Sequence, residues 1–222
     1  MCFSAVASFV AAGVTGVIGI ASLTRVDHPR QIALAATPVF FAVQQSVEGL
    51  LWLHLPLAPD GSISSSLTLL YLMFADVFWP IYAPLMVLLI EPNDARRHLM
   101  LPLFAIGAAV GTYLFWQIVT HPRGALFLDD HIVYVAEYTH SAAVAVVVAI
   151  GYLAATSLPL ILSSQRTVVI LGATILVGCS IAYAFYWEAF VSIWCFFAAA
   201  ASAVILCHFE RVRRQRLRVA RA

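Results

Sequence analysis

The stretch LTLLYLMFADVFWPIYAPLMVLLI, residues 67–90, decides the fold class. It exceeds the ~20 apolar residues needed to cross a hydrocarbon core. Its single charged residue, Asp76, stands well inside it. The same texture recurs along the chain. Apolar runs separated by polar or proline-containing breaks predict spans at roughly 3–23, 32–54, 67–90, 99–119, 132–156, 167–187 and 190–208. The expected fold is all-α: a polytopic seven-transmembrane-helix bundle over residues 1–209, followed by a basic tail at 210–222. The break at Trp187-Glu188 is the tightest, so the last two spans form either a pinched hairpin or one long kinked run.

Composition agrees. Of 222 residues, 63% are hydrophobic and 10% charged, and the mean hydropathy is +0.94. Soluble domains run about a quarter charged. Seven spans with short loops leave no length for a separate catalytic or DNA-binding domain, so the chemistry must lie between the helices. All twelve basic residues are arginine. The absence of lysine excludes a retinal Schiff base and any other lysine-imine chemistry.

The arginines also give an orientation. Arg25, Arg30, Arg96, Arg97 and Arg166 fall in the first, third and fifth breaks, and Arg211, Arg213, Arg214, Arg216, Arg218 and Arg221 in the tail. Only Arg123 opposes them. The positive-inside rule then places the N-terminus outside and the tail in the cytoplasm, with the chain in the cytoplasmic membrane. The first span lacks a basic flank before it and reads as a retained anchor. The tail reads as a topology anchor touching anionic headgroups, at ~1 kcal/mol per arginine, and not as a nucleic-acid ligand.

Ionisable groups inside spans are costly and therefore functional candidates. Glu48, Asp76, Glu137 and His140 lie ~8–13 Å below the outer surface by helix rise. Glu188 and Cys2 stand at the same end. The cytoplasmic halves carry no acidic residue or histidine, so the polar site faces outward. Gln44, Gln45, Tyr134 and Cys195 surround it, while Trp79, Tyr82 and Tyr183 are too deep for an interfacial belt and read as its walls or hydrogen-bond partners. Trp79-Pro80 beside Asp76 marks a kink able to line a cavity. Gly13, Gly16 and Gly19 mark a close-packing face.

Glu137-Tyr138-Thr139-His140 puts a carboxylate and an imidazole one turn apart on a helix. With Glu48 and Asp76 from other helices, the set matches carboxylate-rich metal sites of helix bundles. One such motif, not two, points to a single divalent metal: zinc, iron, manganese or copper on Glu48, Asp76 and His140, with Glu137 as general base. A small-molecule or lipid ligand would reach it from the outer leaflet. Two other readings stay open: an ion-free polar network or proton relay in a transporter, receptor or proton-coupled module, and an organic-ligand site. Haem would need paired deep histidines, and only His140 is clearly intramembrane. Cys2 and Cys195 are close enough to the outer face to bridge in an oxidising compartment or to lend a thiolate, although free thiols are the commoner outcome.

The opening Met1-Cys2-Phe3-Ser4-Ala5-Val6-Ala7-Ser8-Phe9 and the segment Gln44-Gln45-Ser46-Val47-Glu48-Gly49-Leu50-Leu51-Trp52 resemble an uncharacterised family of bacterial multi-pass membrane proteins. Its members begin Met-Cys-Phe-Ser and carry Gln-Gln-x-x-Glu-Gly. The resemblance spans most of the chain, implies that Cys2, Ser4, Gln44, Gln45 and Glu48 belong to the family's motif, and brings no established activity. The architecture is also similar to seven-helix hydrolases of the alkaline ceramidase and progestin-receptor-like kind, whose zinc is held by three histidines. Only His140 is placed for that role here, so the likeness is architectural.

Overall fold

The computed structural model describes residues 4–121, 123–128, 131–136, 141–185 and 190–219. Seven helices follow one another among them: α1 (Ala5–Leu23), α2 (Ile32–His54), α3 (Ser62–Ile90), α4 (Asp94–Thr120), α5 (Ala142–Leu162), α6 (Arg166–Phe185) and α7 (Phe190–Val219). Of these, α1, α3, α4 and α5 are long and apolar enough to cross a membrane. Helix starts follow local chemistry. The Ser4 hydroxyl accepts the Ala7 N–H at 3.2 Å, and the Asn93 side chain accepts the Arg96 N–H at 3.0 Å, each satisfying a donor that the first turn leaves over.

The fold is not purely helical. Strands β1 (Arg123–Leu128) and β2 (His131–Ala136) pair antiparallel, with Ala125 opposite Tyr134 and Phe127 opposite Ile132. The fifth apolar run therefore does not begin a helix at 132; that helix begins only at Ala142, with Ser141 as its cap. Ile132-Val133-Tyr134-Val135 is β-branched and aromatic, the composition that suits a pleated surface, and hydropathy alone does not separate it from a span.

Helix α1 is inverted relative to a soluble helix. Its buried residues are Ser8, Ala12, Thr15, Gly19 and Ser22, spaced three and four apart along one seam against α2. The Thr15 and Ser22 hydroxyls donate back to the Ala11 and Ile18 carbonyls, each at 2.8 Å, so the seam buries few unmet polar groups. Outward stand Val6, Val17 and Ile20, 72%, 69% and 64% exposed. The seam lets backbones approach closely: a Cβ on Gly19 would lie 2.8 Å from the Val39 nitrogen, and one on Gly16 would lie 3.6 Å from the Ala42 Cβ. Gly13, expected on the same face, has nothing within 4 Å.

Helix α3 changes its winding once. It is α-helical over Ser62–Leu72 and Trp79–Ile90, and between them Met73–Phe78 forms a π turn. The Trp79 N–H reaches back five residues to the Phe74 carbonyl. The Ala75 carbonyl thereby loses its usual donor, and the residue five further on, Pro80, has no N–H to offer. Tyr152 of α5 fills the gap, its hydroxyl donating to the Ala75 carbonyl at 2.6 Å. Tyr152→Phe is expected to cost about 1 kcal/mol, within the range for single hydrogen bonds in water and in membranes. Denaturant unfolding in detergent micelles measures it; an unchanged midpoint would mean that the bulge needs no outside donor. Gly107 and Gly111 of α4 lie against this same kink: a Cβ on Gly107 would overlap the Pro80 carbonyl oxygen, and one on Gly111 would come within 3.0 Å of the Val77 carbonyl.

The arginine-bearing breaks meet at one end of the helices. Arg25, just after α1, pairs with Glu210 of α7 at 3.1 Å. The Arg96 guanidinium donates to the Leu162 and Ser163 carbonyls at 3.0 and 2.9 Å, joining the start of α4 to the end of α5. Helix α7 runs through residue 210 to Val219 without a break.

Candidate functional site

The polar face of α2 follows from spacing. Gln44, Gln45, Glu48, Leu51 and Trp52 are all buried and recur every three or four residues, so they share one side of the helix. Glu48 has no exposed surface. The Gln45 amide donates to its carboxylate at 3.3 Å, a long contact from the adjacent turn. Gln44 reaches across to α3 instead, where its carbonyl oxygen accepts the Trp79 indole N–H at 2.7 Å. The Gln44 amide nitrogen is buried and has no partner among the described residues. Phe41 packs on Trp79 with ring centroids 4.4 Å apart, which fixes the indole in that direction.

Asp76 sits half-buried within the π turn of α3. Such bulges are frequent at functional sites because they redirect one side chain while the rest of the helix continues. The hairpin closes this end. Tyr134 of β2 stacks on the fully buried Tyr71 of α3 at 4.4 Å with rings 2° from parallel, and Phe127 of β1 meets Trp52 of α2 edge-on at 5.0 Å. Ala125 and Ile132 join Val47, Leu51 and Leu55 in one apolar cluster. The hairpin is thus a cover seated on the ends of α2 and α3.

The sequence-predicted residues divide into three groups. Gln44, Gln45, Glu48 and Trp79 come together, and Tyr134 packs on the hairpin side of the neighbouring cluster of Val47, Leu51, Trp52 and Tyr71. Tyr82 meets Trp79 edge-on at 6.1 Å and stacks with Phe78 at 4.6 Å, while its hydroxyl donates to the Ala33 carbonyl at 2.5 Å, near the start of α2. Glu137, His140, Glu188 and Cys2 lie outside the described residues, and Tyr183 and Cys195 lie along α6 and α7. The described helix α5 begins at Ala142, and the expected Glu-x-x-His motif lies outside the described residues. Among the described residues, no group of three or more His, Cys, Asp or Glu is placed to hold a metal ion. Glu48 and Asp76 are the described carboxylates of the expected set.

Sequence reading missed a second buried acid. Glu91, immediately after α3, is 1% exposed. Its carboxylate accepts the Ser163 hydroxyl at 2.7 Å, the Ser164 N–H at 2.9 Å, the Asn93 N–H at 3.1 Å and the Ser164 hydroxyl. Burial pushes its pKa up, but the hydrogen bonds from Ser164, Ser163 and Asn93 together outweigh that and hold it below the ordinary carboxylate value. Next to it, the Gln165 amide donates to the Ile90 carbonyl at 2.6 Å. Glu91 ties the end of α3 to the break between α5 and α6, far along the chain, and Glu-Pro-Asn-Asp read alone is only a turn.

Fold and site together define a mainly helical protein with several helices able to cross a membrane, a buried polar face on α2 and a β hairpin packed on the ends of α2 and α3. The chain belongs to the family of unknown function DUF6629, whose sequence profile matches residues 1–221. No curated protein and no solved structure matches the chain.

Proposed function

We propose that this is a seven-span protein of the cytoplasmic membrane, N-terminus outside, whose site beneath the hairpin holds a divalent transition metal and acts on a small or lipidic molecule arriving from the outer leaflet. Glu48 carries the reading. A carboxylate without exposed surface inside a span is costly to keep charged and is retained where it meets a cation, exchanges a proton or binds a ligand, so its place on the buried polar face of α2 marks a functional group. The spans are supported by the outward valines of α1 and its inward serine and threonine seam. The orientation is supported by the arginine rule and by Arg25–Glu210 and Arg96, which draw the basic breaks to one end. In this reading Glu48, Asp76 and His140 hold zinc, iron, manganese or copper, and Glu137 accepts the proton of the attacking water.

A second reading is favoured by the Gln45–Glu48 and Gln44–Trp79 hydrogen bonds: an ion-free site in which Glu48 carries a proton, as in a carrier, receptor or proton-coupled module. Elemental analysis of the tag-free protein in nanodiscs separates the two. The metal reading expects about one equivalent of a transition metal, lost in Glu48→Gln and His140→Ala while gel-filtration behaviour is kept. No metal in the wild type after loading with each of the four would end it. The relay reading would then expect an infrared band of a protonated carboxyl that disappears in Glu48→Gln.

A further inference from the structure

At the basic end of the helices, between the 3-10 turn Pro29–Gln31, the last turn of α3 and the first turns of α4, lies a pocket of about 280 Å³. It is lined by Arg30, Arg97, His98, Leu88, Leu89 and Leu101. Three features make it specific. Its polar wall is basic: the Arg30 guanidinium has no side-chain partner among the described residues, and Arg97 is tied only to its own helix neighbour Asp94, at 2.8 Å, whose side chain is 76% exposed. His98 is held by its own helix, its Nδ1 2.7 Å from the Asp94 carbonyl, an acceptor only, so Nδ1 donates and the ring is fixed at the edge of the pocket. The other wall is apolar and open, with Leu89 and Leu101 40% and 49% exposed.

We infer that this pocket binds the phosphate of an anionic phospholipid, whose acyl chains run along the exposed leucines of α3 and α4. Two guanidiniums provide the fork geometry that phosphate oxygens accept in pairs, and basic pockets between helices at the cytoplasmic face are where acidic headgroups bind. The pocket is open along its leucine wall, which suits a headgroup with its chains outside. A free anion would use the same guanidiniums and leave the leucine wall without a role. The inference rests on the membrane reading above and is independent of any metal.

The test is native mass spectrometry of the full-length protein released from nanodiscs of equimolar phosphatidylglycerol and phosphatidylcholine. Wild type is expected to retain phosphatidylglycerol in excess, and the Arg30→Gln/Arg97→Gln double variant to lose that excess by roughly tenfold or more. Arg30→Gln alone removes a side chain that has no side-chain partner among the described residues, so it keeps the fold and is expected to lose part of the excess. Asp94→Asn leaves both guanidiniums and is expected to retain it, and so is Arg213→Gln/Arg214→Gln in α7. Equal retention of the two lipids by wild type, an unchanged preference in the double variant, or an equal loss in the α7 variant would overturn the proposal. Displacement of the lipid by millimolar inorganic phosphate would reassign the pocket to a free anion. Release of the protein from membranes by alkaline carbonate would instead sink the membrane reading, which keeps the two failures distinct.

Discussion

Glu91→Ala is expected to lower the thermal unfolding midpoint in detergent micelles by roughly 6–12 °C, the equivalent of about 3 kcal/mol for a chain of this size. The carboxylate accepts four hydrogen bonds at the meeting point of two breaks. Alanine leaves the Ser163 and Ser164 hydroxyls and two backbone N–H groups without an acceptor in a place where Glu91 itself is 1% exposed. Unmet buried donors cost more than the bonds contribute when present, which is why the loss exceeds that of a surface ion pair. The pH dependence has a definite sign. A carboxylate held below its ordinary value stabilises the fold fully above the unfolded pKa of about 4.3. That stabilisation is lost as pH falls through the lower, folded value. Glu91→Gln keeps one acceptor and carries no charge, so its stability gap to wild type should narrow between about pH 6 and about pH 3. A gap constant over that interval would show that the charge on Glu91 contributes nothing.

Gly107→Ala is expected to cost about 2–3 kcal/mol, because the added methyl overlaps a backbone oxygen that no rotamer change can move. Alanine should gain roughly 0.5–1 kcal/mol in helix propensity over glycine, so the clash must first overcome that gain. Gly13→Ala supplies the comparison. Nothing lies within 4 Å of the Cβ it would add, and it is expected to be neutral or slightly stabilising. The same denaturant series on both variants measures the difference. Equal midpoints would mean that α3 and α4 can slide apart at the kink without loss.

The two variants bear on how far the sequence could be read. The helices were legible because apolar runs between polar breaks mark lengths directly: the expected 32–54 coincides with α2, and 3–23 and 67–90 differ from α1 and α3 only in their starts. The hairpin was not legible, since Ile132 to Val135 is as apolar as a span and its strand character depends on pairing with β1, a long-range fact. On the buried polar face, Glu48 was legible as an ionisable group inside a span, Gln44 and Gln45 as its polar neighbours, and Trp79 from its depth. Tyr82 was placed by depth as well; its ring does meet Trp79, but that its hydroxyl bonds the Ala33 carbonyl depends on side-chain direction between helices, which a sequence does not give. Glu91 escaped notice because an acidic residue beside a proline in a turn looks solvated. Its burial comes from Ser163-Ser164-Gln165, more than seventy positions away along the chain.

The π turn in α3 has a geometric consequence. Each residue advances an α-helix by about 100°, so the eight steps from Tyr71 to Trp79 would leave the two about 80° apart on an uninterrupted helix. The wider π turn absorbs one residue, and Tyr71 can stack on the hairpin while Trp79 bonds Gln44 from nearly the same side of α3. Rewinding Met73–Phe78 as α-helix at unchanged length would make the helix more regular and turn its two halves against each other. Local order would rise while one half swung away from its partners.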